Sequence, residues 1–218
     1  MLVSGGLDSA VLVAVLARRQ RVHPVYVRCG LAWERAEEAA LGRFLRALGA
    51  AQRRHVAPLV RLELPVAPLY GRRHWSLSGR GVPGARAALA SNYLPGRNLL
   101  LGSLAAVYCA RARIPALALA LLGDNPFPDA TPAFLRDFGR CASRALGAPI
   151  RVRAPFRRLA KEAVIRLGRH LPLELTLSCA RPRAGQHCGM CTKCAERRTA
   201  FARAGVADPT SYAGGRRE

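Results

Sequence analysis

The chain has 218 residues, 50% of them apolar, which is enough for one sizeable core with a small appendage and too few for two independent domains. Its net charge of +22 admits a polyanionic partner, but the basic residues are scattered as singles and pairs such as Arg53-Arg54 and Arg72-Arg73, so nucleic acid is not the favoured partner. No apolar run approaches the roughly 18 residues of a membrane span, and the expectation is a soluble, cytoplasmic chain without membrane contact.

Short aliphatic runs alternate with amphipathic stretches, the pattern of parallel strands joined by helices. Leu2-Val3 ends a first strand, and a helix from Asp8 to Arg19 follows. Its apolar stretch, Ala10 to Ala17, comes after a glycine loop and ends in Arg18-Arg19, as a short core helix does and a signal peptide does not. Val22 to Val27 is the second strand. Glu34 to Leu48 is a helix with Ala40, Phe44, Leu45 and Leu48 on one face, and Leu59 to Val66 is the third strand. Residues Ala67 to Ala85, rich in Gly, Arg and Pro, lack periodicity and read as a long surface loop beside the site. From Gly96 to Ala112 a helix is predicted with Leu99, Leu100, Ser103, Leu104 and Val107 facing the core, followed by a buried strand from Ile114 to Leu122. The next helix has Pro132 in its first turn and an apolar stripe of Phe134, Leu135 and Phe138. Ile150 to Ala154 is the fifth strand, Leu159 to Leu167 a helix, and Pro172 marks a break.

Two constellations carry chemistry. Ser4-Gly5-Gly6-Leu7-Asp8-Ser9 sits between a strand and a helix, where glycines let backbone N–H groups approach an anion and the helix N-terminus adds favourable partial charge. Ser9 offers a hydroxyl donor, while Asp8 would repel bare phosphate and makes sense as a partner for Mg²⁺ bound to it. A plain strand-to-helix turn with Asp8 or Ser9 as N-cap is the alternative. The hexapeptide as a whole resembles the pyrophosphate loop of the ATP pyrophosphatase superfamily, and it lacks the Gly-Lys-Ser/Thr ending of a Walker loop.

At the other end, Cys179, Cys188, Cys191 and Cys194 crowd together while Cys29, Cys109 and Cys141 are scattered, which points to a metal and not to a disulfide framework. Four thiolates suit a closed tetrahedral Zn²⁺ site, although the spacing also suits an iron–sulfur cluster or thiol redox exchange. His187 is a neighbour of the set.

With Pro95-Gly96-Arg97-Asn98, Phe127-Pro128-Asp129, Leu159-Ala160-Lys161-Glu162 and Leu177-Ser178-Cys179 in the same order, nearly the whole chain resembles the 7-cyano-7-deazaguanine synthases of queuosine precursor biosynthesis. The resemblance implies a Rossmann-like α/β fold, a parallel sheet with helices on both faces. An ATP-binding domain would span residues 1–172 and a zinc-binding segment residues 173–218. It implies a carbon–nitrogen ligase that cleaves ATP to AMP and pyrophosphate while turning 7-carboxy-7-deazaguanine and ammonia into the nitrile, with Mg²⁺ on the nucleotide, structural Zn²⁺ and a homodimer. Ser4 to Ser9 would hold pyrophosphate, Asp8, Arg97 and Lys161 would act in catalysis, and Asn98 and Asp129 would bind the purine-like substrate. Only Lys161 and Lys193 are lysines among 35 basic residues, which draws attention to a compact charge at 161.

The segment Cys29-Gly30-Leu31-Ala32-Trp33-Glu34 keeps a glycine but lacks the Gln and His usual there, and Ala130-Thr131 replaces Cys-Arg. The first strand is short for the family, which suggests a late start. These departures keep open a related ATP pyrophosphatase acting on a tRNA base or a protein, and a zinc-dependent nucleic-acid-binding module without catalysis.

Overall fold

In a computed structural model, residues 1–213 are described. The sheet is built on parallel pairs. Strand β1 (Val25–Arg28) lies beside β2 (Val60–Glu63), and β3 (Ala116–Ala118) beside β4 (Arg151–Arg153). Residues 1–3 join the two halves: Leu2 bridges Val25 in parallel, the Val3 N–H donates to the Val25 carbonyl at 2.9 Å, and the Leu2 N–H donates to the Ala118 carbonyl at 3.0 Å. The order is therefore β2, β1, residues 1–3, β3, β4. The chain leaves the middle of the sheet first toward β1 and later toward β3, so the strand order reverses beside residues 1–3, and α/β folds hold ligands beyond the carboxyl ends of the strands at such a point.

The main helices are α1 (Leu7–Leu16), α2 (Glu34–Ala47), α3 (Arg97–Arg111), α4 (Pro132–Leu146), α5 (Lys161–Gly168) and α6 (Thr192–Ala204). Strand alternation assigns them to faces. Leu117, Leu119 and Leu121 pack with α3 and α4, whereas Ala118, Ala120 and Leu122 pack with α1, α2, α5 and α6. Helices thus cover both faces of a parallel sheet, as read from the sequence. Helix α1 is buried nearly all round because it lies between the sheet and α5, and a Cβ on Gly168 would come 2.5 Å from the Val11 side chain. Thr131 caps α4, its Oγ1 accepting from the Phe134 N–H at 3.2 Å.

Two expectations need correction. The predicted core face of α3 is largely the wrong one: Leu99 and Val107 are 43% and 46% exposed, and the buried residues are Gly102, Ala105, Ala106 and Cys109. Small side chains let α3 approach closely, and a Cβ on Gly102 would already stand 3.0 Å from the Phe138 ring. The stretch expected as an irregular loop contains single helical turns at Ala67–Tyr70 and Trp75–Ser78.

The last helix is not segregated from the rest. Ala200, Phe201 and Ala204 of α6 share a core cluster with α1 and α5, so the cysteine segment is packed into the α/β body. The final five residues of the expected segment 173–218 lie outside the described residues.

Candidate active site

Loop 4–9 turns tightly because its serines bond within it. Gly6 N–H donates to Ser4 Oγ at 3.2 Å, Ser4 N–H donates to Ser9 Oγ at 3.1 Å, and the Ser9 hydroxyl donates to the Ser4 carbonyl at 2.8 Å. Gly5 is fixed from both sides. Its carbonyl accepts from the Leu177 N–H at 2.7 Å, and a Cβ there would run into the Glu37 carbonyl oxygen. No side chain among the described residues caps α1, so its first-turn N–H groups remain for an anion.

This turn lines a cleft of about 210 Å³ whose far walls come from α2, α3, α5 and the cysteine segment. Four charges run through it. Lys161 Nζ donates to Asp8 Oδ2 at 2.6 Å and lies 3.4 Å from Glu196, which also takes a hydrogen bond from Lys193 at 3.1 Å. The chain's only lysines therefore converge on one carboxylate. Burial acts against the charged form of Lys161, but Asp8 and Glu196 outweigh it and raise its pKa. Burial likewise acts to raise Glu196, yet Lys161 and Lys193 bring it down to about 2. Asp8 Oδ1 is buried without a hydrogen-bond partner among the described residues, and an orphaned carboxylate oxygen facing the anion loop fits a hard cation such as Mg²⁺.

Arg97 opens α3 after Gly96, whose φ of +70° suits glycine, and enters the cleft with a buried Nε that has no partner among the described residues. Asn98 and Asp129 bond to each other instead of lining the cleft: the Asn98 N–H donates to Asp129 Oδ2 at 2.7 Å and Asn98 Nδ2 to Oδ1 at 3.1 Å. The carboxylate thus caps the α3 N-terminus and fixes the turn that carries Arg97.

The sulfurs of Cys179, Cys188, Cys191 and Cys194 lie within 4.8 Å of one another, and all four residues are buried. Zn–S bonds of about 2.3 Å in a tetrahedron require sulfurs roughly 3.8 Å apart. The Cys188–Cys194 and Cys191–Cys194 separations are 3.9 and 3.5 Å, so the set fits zinc with modest adjustment. Backbone N–H groups of Arg181 and Cys188 donate to Cys179 Sγ at 3.4 and 3.3 Å, the support a thiolate ligand needs. His187 is not a fifth member. Its Nε2 accepts from the Ser178 N–H at 2.9 Å, and burial, followed by Arg197, lowers its pKa to about 4.

The family profile described as "Queuosine biosynthesis protein QueC" matches residues 1–205. The chain belongs to this family. It is 37% identical to the 7-cyano-7-deazaguanine synthase of Anaeromyxobacter dehalogenans over 98% of this chain and 94% of that protein. The enzyme of the same name from Methanothrix thermoacetophila is 32% identical over 97% of this chain and 96% of its own length, and that from Thiobacillus denitrificans is 33% identical over 98% and 97%. The QueC match spans both the glycine loop and the cysteine set.

Sequence reasoning missed several residues that line the cleft of this QueC-family chain: Trp33, Glu37, Trp75, Lys193, Glu196 and Arg197. For Lys193 and the tryptophans the signal was rarity, since the chain has only two of each type. Arg197 gave no such signal among so many arginines. It is 1% exposed and donates to Thr176 Oγ1 at 2.9 Å, Thr210 Oγ1 at 2.6 Å and the Leu173 carbonyl at 2.9 Å, tying α6 to the strand of chain that carries Cys179.

Proposed function

We propose that the chain converts 7-carboxy-7-deazaguanine and ammonia to 7-cyano-7-deazaguanine, with ATP cleaved to AMP and pyrophosphate. The names of its relatives support the product, and one observation supports the chemistry: the Asp8–Lys161 pair, 2.6 Å long, stands at the mouth of an uncapped glycine loop. A carboxylate oxygen of the acceptor attacks the α-phosphorus, the bond to the β-phosphate oxygen breaks, and an acyl-adenylate forms. The first-turn N–H groups of α1, from Leu7 to Ser9, receive the departing pyrophosphate, and Lys161 neutralises the charge that builds on it. Asp8 Oδ1 would hold Mg²⁺, which when bound shares that charge.

Ammonia then displaces AMP to give the amide. A second ATP adenylates the amide oxygen, and loss of AMP and a proton leaves the nitrile. Arg97 faces the reacting carboxylate as a cation, while Asn98 and Asp129 serve the substrate by fixing the turn that presents Arg97 to it. Cys179, Cys188, Cys191 and Cys194 would hold zinc in a structural site, because four thiolates leave no open coordination position.

The test is to incubate zinc-loaded protein with Mg-ATP and ammonia, adding either 7-carboxy-7-deazaguanine or bulk tRNA, and to follow nucleotides and acceptor mass together. AMP with the nitrile is the expected result. ADP as the primary product rules the reaction out, and modification of tRNA alone moves the chain to another acceptor.

A further inference from the structure

Trp33 and Trp75 are the chain's only tryptophans, and both line the cleft. Their rings stack at 5.8 Å with 18° between planes. That spacing leaves no room for a ring between them, so Trp33, 7% exposed, backs Trp75. The pairing is held by the backbone, where the Ala32 N–H donates to the Ser76 carbonyl at 2.8 Å.

Glu37 follows Trp33 by one helical turn, its N–H bonded to the Trp33 carbonyl at 3.0 Å, so both side chains share one face of α2. The Tyr26 hydroxyl donates to Glu37 Oε2 at 3.0 Å and fixes the carboxyl in the cleft wall. Arg97 lines the same cleft with an Nε–H that has no partner among the described residues. The site therefore offers an aromatic face, a carboxyl acceptor and a guanidinium donor.

We infer that Trp75, backed by Trp33, and Glu37 select a guanine-like heterocycle as the acceptor, an inference that rests on the reaction proposed above. A guanine-like ring presents an N–H and an exocyclic amine side by side, which a carboxylate accepts together, and next to them a carbonyl oxygen for which Arg97 is the donor. Adenine places an acceptor nitrogen where the carboxylate needs a donor, so the same walls discriminate against the nucleotide's own base. Stacking on the indole holds the ring plane without reading its edge.

Because no other tryptophan contributes, fluorescence of the zinc-loaded full chain reports the site directly. Titration with 7-deazaguanine should quench it saturably, and adenosine should quench only at much higher concentration. Trp75→Leu should weaken 7-deazaguanine binding on the order of tenfold, read from Trp33, while Trp75→Phe retains most of it. Glu37→Gln, checked for native circular dichroism, should bind both ligands with the preference reduced at least tenfold. Equal quenching by adenosine, or an unchanged preference in Glu37→Gln, overturns the inference. AMP and nitrile formed without saturable quenching also overturns it and leaves the reaction standing. Selective quenching without AMP formation supports the ring assignment and removes the reaction.

Discussion

Lys161 is held by two carboxylates, and in the proposed reaction the pyrophosphate departs beside it, so its loss should act in two separable ways. Lys161→Ala removes a cation from the departing pyrophosphate, and kcat should fall by about 10²–10³. It also leaves Asp8 and Glu196 without their shared partner, and thermal denaturation should register a loss of about 1.5–3 kcal/mol, the usual worth of a hydrogen bond to a charged group. Lys161→Arg distinguishes the two. The planar guanidinium can satisfy the carboxylates but cannot place a compact charge 2.6 Å from Asp8, so stability should recover while kcat does not. If both recover together, charge alone suffices at this position. Gly5 makes a purely steric case. Gly5→Ala must push the loop off the Glu37 backbone, and AMP formation should drop at least tenfold with the cysteine set still binding metal.

At the scale of elements, α3 tests how packing overrides apolar pattern. Its leucines suggested one face, but the helix buries Gly102, Ala105, Ala106 and Cys109 because closeness to Phe138 and β3 is worth more than bulk there. Gly102→Leu should therefore cost about 1–3 kcal/mol, whereas Leu99→Ala, on the exposed side, should cost little; paired denaturant melts with equal slopes decide it. The same contrast explains what could be read beforehand. Strands and helices were readable because period-2 and 3.6-residue patterns are local, and the run from Leu117 to Leu122 even encodes which face each leucine takes. Loop 4–9 and the cysteine set were readable because their residues are neighbours in sequence. The cleft's far wall was not, since Glu37, Glu196 and Arg197 meet the loop only through tertiary packing, and nothing local distinguishes them from surface residues. The family resemblance puts Asn98 and Asp129 on the substrate, but their mutual bonds across 31 residues are long-range facts that no local pattern announces.

For the molecule as a whole, the cysteine set and the cleft beside the glycine loop share one wall. Ser178, Cys179 and Ala180 line the cleft, Leu177 bonds to Gly5, and α6 starts at Thr192 inside the cysteine set and ends in the core shared with α1 and α5. Thr192 also holds the loop at 83–84, its Oγ1 donating to the Gly84 carbonyl at 2.8 Å. Four buried thiols without a metal repel as they ionise and leave no substitute core, since the cluster occupies the place that side chains would otherwise fill. Metal binding in such sites is worth on the order of 10 kcal/mol, comparable to the stability of an entire domain. Chelation should therefore not merely release the carboxyl end. It should lower Tm of the whole chain by more than 10 °C in one cooperative transition, expose sites near 173–195 to protease, and abolish tight binding of pyrophosphate to the glycine loop. Calorimetry with and without a strong chelator, alongside pyrophosphate titration, reads these together. A low-temperature transition of the cysteine segment alone, with pyrophosphate binding intact, would instead make that segment an independent unit and sever the coupling argued from Leu177 and α6.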